Sequence, residues 1–166
     1  MSVTEIPMSA WSTGPVSGHS RRHRGRLCTG CVDALVEDID ERPAITSPEA
    51  AADLVIPMLD GLDRERCVAL LLDTKHRLLE MATVSIGSID HTFMSPREVF
   101  RDALLANASA VVLAHNHPSG DPQPSRDDEA ITRRLVSSGE LLGVTVLDHL
   151  VTGGTRWVSL ARRGVC

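Results

Sequence analysis

Five apolar residues, Ala110-Val111-Val112-Leu113-Ala114, run straight into His115-Asn116-His117-Pro118. A short apolar run behind the polar Asn107-Ala108-Ser109 is what a strand buried on both faces requires. Side chains at i and i+2 of a strand share a face, so His115 and His117 point together and Asn116 points the other way. Pro118 cannot donate a ladder hydrogen bond, so the strand stops there. A chain with this feature must end an interior strand in a pair of imidazoles and build the rest of its fold around that strand.

The residues that follow supply a third group. Gly120, Pro122 and Pro124 make a turn-rich loop. Ser125-x-x-Asp128 then opens a helix in the manner of a capping box, ahead of Glu129-Ala130-Ile131-Thr132-Arg133-Arg134-Leu135. Asp128 falls in the first turn, where the helix dipole favours its charged form. Two imidazoles and one carboxylate suit zinc, and three protein ligands with a fourth position for water is the arrangement of catalytic sites. Taken singly, His-x-His is common by chance and Ser-x-x-Asp is usually only a cap. The specificity lies in their combination across one Pro-Ser-Gly loop.

His115-x-His117-Pro118 followed by Ser125-x-x-Asp128 resembles the JAMM motif of the JAB1/MPN metallopeptidase superfamily. The longer string from His115 to Ser125 is similar to the RadC-like branch, as is Val146-Leu147-Asp148-His149-Leu150-Val151. The similarity covers roughly Ile45 to Val165. It implies a single α/β domain of the JAB1/MPN (cytidine-deaminase-like) type, with a mixed β-sheet flanked by helices. It also implies Zn2+ as cofactor, held by His115, His117 and Asp128, and a catalytic glutamate on an earlier strand.

Three glutamates compete for that role. Glu98 lies in Ser95-Pro96-Arg97-Glu98, a capping box with proline at the first helical position, which accounts for it as a cap. Glu80 lies inside Arg77-Leu78-Leu79-Glu80-Met81-Ala82-Thr83-Val84, a strand pattern in which it could simply face solvent. Glu65 precedes the apolar Cys67-Val68-Ala69-Leu70-Leu71-Leu72, and the resemblance places the catalytic glutamate at the start of such a strand. Glu65 is the choice, with Glu80 second and a plain surface glutamate as the alternative.

The expected reaction is hydrolysis of a peptide or isopeptide bond in a peptide or protein substrate. Zinc lowers the pKa of bound water toward neutrality and polarises the scissile carbonyl. Glu65 takes the proton and hands it to the leaving amine. The resemblance favours a catalytic Ser125, whose hydroxyl would donate to the developing oxyanion. Its cap uses the same oxygen, but a hydroxyl can accept from a backbone N–H and donate elsewhere. Asp148 and His149 fall on opposite faces of their strand. One of them could orient a ligand histidine, but a core or surface histidine is the more common outcome, and His149 is not assigned as a ligand.

Apolar residues make up 42% of the chain and aromatics only 2%, so the core must be built from Leu, Val, Ala and Ile. The net charge of −5 gives no general attraction to nucleic acid. No apolar run is long enough to span a membrane. The first residues lack a signal-peptide core, and Cys28, Cys31, Cys67 and Cys166 show no disulfide framework, so a cytoplasmic setting is expected.

The chain divides near residue 45. Residues 1–44 read as a flexible extension and residues 45–166 as the RadC-like MPN/JAB domain. In the domain, a helix starts at Ser47-Pro48-Glu49, with Ala50, Ala51, Leu54, Val55 and Met58 as its apolar face and Pro57 kinking or shortening it. Strands are expected near 67–72 and 77–85, then a helix near 96–107 and the histidine-bearing strand. A helix near 126–139 and strands near 143–151 and 156–160 complete the domain. This alternation argues for a mixed sheet flanked by helices. The polar, glycine-containing connection 86–95 could flank the cleft.

His19, His23, Cys28 and Cys31 offer four zinc-type ligands in thirteen residues, but structural zinc sites carry a longer insert between their ligand pairs. A basic tail with incidental cysteines is the preferred reading of this segment. A redox pair of Cys28 and Cys31 lacks the preceding strand–helix pattern. The basic run Ser20–Arg26 could touch phosphates, though a solvated tail explains it as well. RadC-like proteins also carry an N-terminal helix-hairpin-helix-type region, and the first 45 residues show no match to it. That absence weakens a DNA-repair reading of this chain. The alternative to the hydrolase is nonetheless a non-catalytic or DNA-associated module of the repair and recombination type. A zinc deaminase is a distant third, since position 117 is His rather than Glu.

Overall fold

The computed structural model describes residues 42–87 and 94–166. His19, His23, Cys28, Cys31, the Ser20–Arg26 run and the centre of the 86–95 connection lie outside the described residues. The elements run α1 (Pro48–Leu59), β1 (Arg66–Leu72), β2 (Leu78–Ile86), α2 (Pro96–Leu105), β3 (Ala110–Asn116), α3 (Arg126–Leu142), β4 (Thr145–Gly153) and β5 (Arg156–Ser159). The strands form one sheet in the order β2-β1-β3-β4-β5. β1 is antiparallel to both β2 and β3, β3 is parallel to β4, and β4 is antiparallel to β5. This is the mixed α/β sheet expected from the alternation of patterns.

β3 is central because every one of its residues is buried. Its two faces feed two cores. Val111 and Leu113 join Cys67, Phe100 and Leu135 in a layer that involves α2 and α3. Val112 and Ala114 join Val68, Leu70, Ala51 and Val55 in a layer under α1. With so few aromatics, Phe100 is the largest fully buried side chain among the described residues, and aliphatic residues supply most of the core around it.

The caps act as their sequences suggest. Ser47 accepts from Ala50 N at α1, and Ser95 accepts from Glu98 N at α2. The apolar face of α1 is rotated from the expected one: Ala51, Ala52, Val55 and Leu59 are buried, while Met58 is exposed. Pro57 lies in the last turn and the helix ends at Leu59, so the proline shortens it. α2 ends at Leu105, two residues before the expected limit, where Asn107 turns left-handed. α3 runs three residues past its expected end, through Gly139 to a left-handed Gly143. Gly139 is a close-packing position, since a Cβ there would sit 2.3 Å from the Val144 carbonyl and 3.2 Å from Phe100.

Between Val111 and Val112 the β3–β4 register slips, so Val146 lies opposite Val111 and Asp148 opposite Val112. Leu147 is the extra residue of this bulge. Without it Val146 and His149, three residues apart, would point to opposite faces. With it, Val146 packs into the α2–α3 layer while His149 meets His115 and Thr132 near α3. No helix among the described residues is long and apolar enough to cross a membrane.

Candidate metal centre

The end of β3, the start of α3 and the middle of β4 meet on the α3 side of the sheet. His115 is 1% exposed and His117 is half-buried at the strand end. The backbone of His117 continues the β3–β4 ladder by donating to Thr152 O at 2.7 Å, so its side chain keeps the strand's alternation. Ser125 caps α3 with both halves of a capping box: its Oγ accepts from Asp128 N at 3.1 Å, and Asp128 Oδ2 accepts from Ser125 N at 2.7 Å. That double clasp fixes the Asp128 carboxylate toward the histidines.

His115, His117 and Asp128 bring one ligand atom each within 4.8 Å of one another. The edges of the triangle are 3.1 Å from His115 Nε2 to His117 Nε2, 3.3 Å from His115 Nε2 to Asp128 Oδ1 and 3.5 Å from His117 Nε2 to Asp128 Oδ2. Zinc–ligand distances of about 2.0–2.1 Å in a tetrahedron separate the ligand atoms by roughly 3.3–3.4 Å, so the three groups stand at the spacing zinc requires.

Counting protons sharpens this. Thr132 Oγ1 lies 2.6 Å from the Asp128 carbonyl, which can only accept, so the hydroxyl hydrogen is there. Thr132 Oγ1 is also 2.6 Å from His149 Nδ1, so that nitrogen must donate. His149 is fully buried, and burial, reinforced by the neighbouring His115, drives its imidazole toward the neutral form. Its single proton is then spent, and its Nε2 accepts from His115 Nδ1 at 2.8 Å. His117 Nδ1 in turn donates to the Asp121 carbonyl at 2.8 Å. In its neutral form each of the two ligand histidines therefore carries its proton on Nδ1 and presents a bare Nε2 to a carboxylate. Three acceptors converge, and such a cluster calls for a cation.

A proton is drawn to the same place. Hydrogen bonding to Asp128 raises the pKa of His117 above its ordinary value; burial opposes the rise, and the Asp121 carbonyl and the charges of Asp128 and Glu65 add to it. Burial pushes the Asp128 carboxyl up, but the imidazoles of His115 and His117, which donate to it when their Nε2 is protonated, outweigh burial and hold the group well below the usual carboxylate range. A divalent metal competes for the same lone pairs.

Glu65 stands just before β1, two residues from Cys67, which lies opposite His115 in the ladder. Its charge reaches His117. Glu80 is exposed and lies opposite Leu71, four ladder rows from Cys67. The Ser125 hydroxyl donates at 2.7 Å to Asp128 Oδ2. Donation to an oxyanion requires that hydroxyl to turn away from the carboxylate.

Three contributors to the site are not evident in the sequence reading. Asn116, buried on the opposite face, donates through Nδ2 to the Arg64 carbonyl at 3.0 Å and accepts at Oδ1 from Arg66 N at 2.8 Å, bracketing Glu65 on both sides. A polar residue on a buried face of a strand needs such partners, and that was the available signal. Thr132 lies one helical turn after Asp128, the spacing that puts two residues on one face. Gly153 lets β4 touch the loop after His117, where a Cβ would sit 2.5 Å from Gly120 O and 2.8 Å from Pro122 N. The same loop is tied from the β5 side by Arg156 Nη2, which donates to Gly120 O at 2.7 Å. Asp148 plays a different part from His149. Its carboxylate accepts from His149 N, Ala161 N and Ser159 Oγ and staples β4 to the chain after β5.

Residues 45–165 match the model of the RadC-like JAB domain family. Among curated proteins the chain is similar to a UPF0758 protein of Desulfitobacterium hafniense, 44% identical over 124 residues, which are 75% of this chain and 55% of that protein. A UPF0758 protein of Shouchella clausii is 46% identical over 123 residues, covering 74% of this chain and 54% of the relative. One of Chloroflexus aurantiacus is 46% identical over 127 residues, 76% of this chain and 56% of the relative. The chain spans about half the length of the curated relatives it matches.

Proposed function

The chain belongs to the RadC-like JAB domain family, and from that premise we propose that it is a zinc-dependent hydrolase of peptide or isopeptide bonds. The observation that carries the reading is the convergence of two proton-free imidazole nitrogens and a carboxylate, with edges of 3.1, 3.3 and 3.5 Å. That donor set fits zinc, which when bound supplies a Lewis acid that acidifies water and polarises a carbonyl.

The chain's own residues would do the following. His115, His117 and Asp128 would hold the metal, with His117 only half-buried at the end of the strand. Glu65 accepts the proton of the attacking water and delivers it to the departing amine nitrogen. Asn116 keeps the Glu65 backbone in place by binding the residues on either side of it. Ser125 steadies the Asp128 carboxylate at rest and, by rotating its hydroxyl, can donate to a developing oxyanion. The substrate is a peptide or protein.

The test is zinc content of the purified full chain beside His117→Ala, joined to cleavage of a proteome-derived peptide library beside Glu65→Gln. About one zinc per chain, lost in His117→Ala, with cleavage lost in Glu65→Gln while zinc stays, is the expected result. No zinc removes the reading. Zinc retained without any cleavage that depends on Glu65 moves the non-catalytic or DNA-associated module into first place.

A further inference from the structure

We propose that Thr132 is a positioning residue that, acting through His149, decides which nitrogen of His115 is left free for the metal. This rests on reading His115, His117 and Asp128 as a metal centre. The observations are a continuous chain of contacts on the buried side of that centre: Asp128 O to Thr132 Oγ1 at 2.6 Å, Thr132 Oγ1 to His149 Nδ1 at 2.6 Å, and His149 Nε2 to His115 Nδ1 at 2.8 Å. Thr132 and His149 are both 0% exposed, so no water completes or interrupts the chain from outside.

The chain has two polarities. In the one set by the carbonyl, every hydrogen points from His115 toward Asp128 O, and His115 Nε2 is bare. In the reverse one, His149 donates from Nε2 to His115 Nδ1, and the proton of His115 is forced onto Nε2, the atom that faces His117 and Asp128. Only the first is competent to bind a metal at that nitrogen. Asp128 O cannot donate, so the Thr132 hydroxyl has to point at it and cannot donate to His149. The α3 backbone thus selects the tautomer of a histidine on β3 through one hydroxyl and one imidazole. The same residue, Asp128, contributes its carboxylate to the centre and its carbonyl to the back of the relay.

Replacing Thr132 by valine keeps the branched shape and removes the acceptor for His149 Nδ1. His149 then moves its proton to Nε2 rather than bury an unpaired N–H. Thr132→Val should therefore weaken zinc binding about tenfold or more, the range found for partners that orient metal-ligating histidines. Thr132→Ser keeps the hydroxyl and should bind zinc as the natural chain does. Zinc affinity is read by competition with a chromophoric chelator, and tautomers by long-range 1H–15N spectra of the metal-free full chain at about pH 9, above the histidine range.

The natural chain and Thr132→Ser should show His115 protonated on Nδ1, and Thr132→Val should show it on Nε2. Natural protein with the Nε2 tautomer overturns the proposal without any variant. Unchanged zinc affinity in Thr132→Val, or equal loss in Thr132→Ser, overturns it as well, the latter because packing of the methyl would then be the cause. A natural chain that binds no zinc instead removes the metal centre itself, so the two failures are distinguishable.

Discussion

Asp128 and Asp148 are both buried carboxylates, one at the start of α3 and one in the middle of β4, yet their surroundings are opposite. Asp148 meets donors only: two backbone N–H groups and the Ser159 hydroxyl share its two oxygens at 2.6–2.9 Å. It is a closed structural staple. Asp128 has donors from Ser125 on Oδ2, but both its oxygens also face imidazole nitrogens that carry no proton in the neutral rings. Burial and charge are common to the two. What separates a candidate metal centre from a staple is whether acceptors face donors or face one another.

The largest effect should come from exchanging their chemistry. Asp128→Asn is expected to lower zinc affinity at least about a hundredfold, since it replaces a charged ligand by a neutral amide. Asp148→Asn should leave zinc stoichiometry unchanged but lower unfolding stability by about 1–3 kcal/mol, because its amide N–H₂ replaces the oxygen that accepts from the buried Ser159 hydroxyl. Elemental analysis and urea unfolding of both variants read the two effects. Loss of zinc from folded Asp148→Asn would erase the distinction.

A smaller effect is expected from Gly153→Ala. The added Cβ would press on Gly120 O at 2.5 Å, displacing the loop whose Asp121 carbonyl holds the His117 tautomer. Zinc binding should weaken about tenfold, as for other partners of ligand histidines. The Asp148 staple lies outside that loop, so the unfolding midpoint in chelator should change less than in Asp148→Asn. If the midpoint falls as far with zinc affinity intact, Gly153 serves packing alone.

The smallest effect is one of pH. The raised pKa of His117 stabilises the metal-free protein below the unfolded histidine value of about 6.5. That contribution is lost as pH rises through the raised folded value. Zinc needs the same nitrogen without its proton, so the rise in Tm that zinc produces should grow with pH through this window and then level off. His149 is neutral in both forms and cancels from the difference. A shift of about a few degrees between pH 6 and 8 is expected from thermal melts with zinc and with chelator. A zinc effect that shrinks with rising pH would mean that no proton shares the site with the metal.

Much of this arrangement was legible in advance. The His115–His117 pairing follows from strand alternation, and the Ser125–Asp128 box follows from the helix start. The resemblance alone points to Glu65; in the structure this residue immediately precedes β1, and its charge adds to the raised pKa of His117. Asn116 was read as pointing away from the histidines, which it does, but its hold on Arg64 and Arg66 joins residues 52 and 50 apart in the chain. No local pattern encodes such a partner. The face of α1 was misjudged at Met58 for a related reason: a mostly apolar helix does not reveal by periodicity alone which stripe the sheet will cover.

Local sequence is enough to set the buried strand, its terminal histidine pair, the capped helix that brings Asp128 and the mixed α/β class. All of these depend on backbone geometry over a few residues. That His149 backs His115 depends instead on packing between distant segments. One extra residue at Leu147 turns His149 to the α3 face, and contact with a residue 34 positions away then assigns its proton. A bulge is set by how two strands of different registry pack into one sheet, and a tautomer by the partner found there. Neither is a property of the segment that carries it.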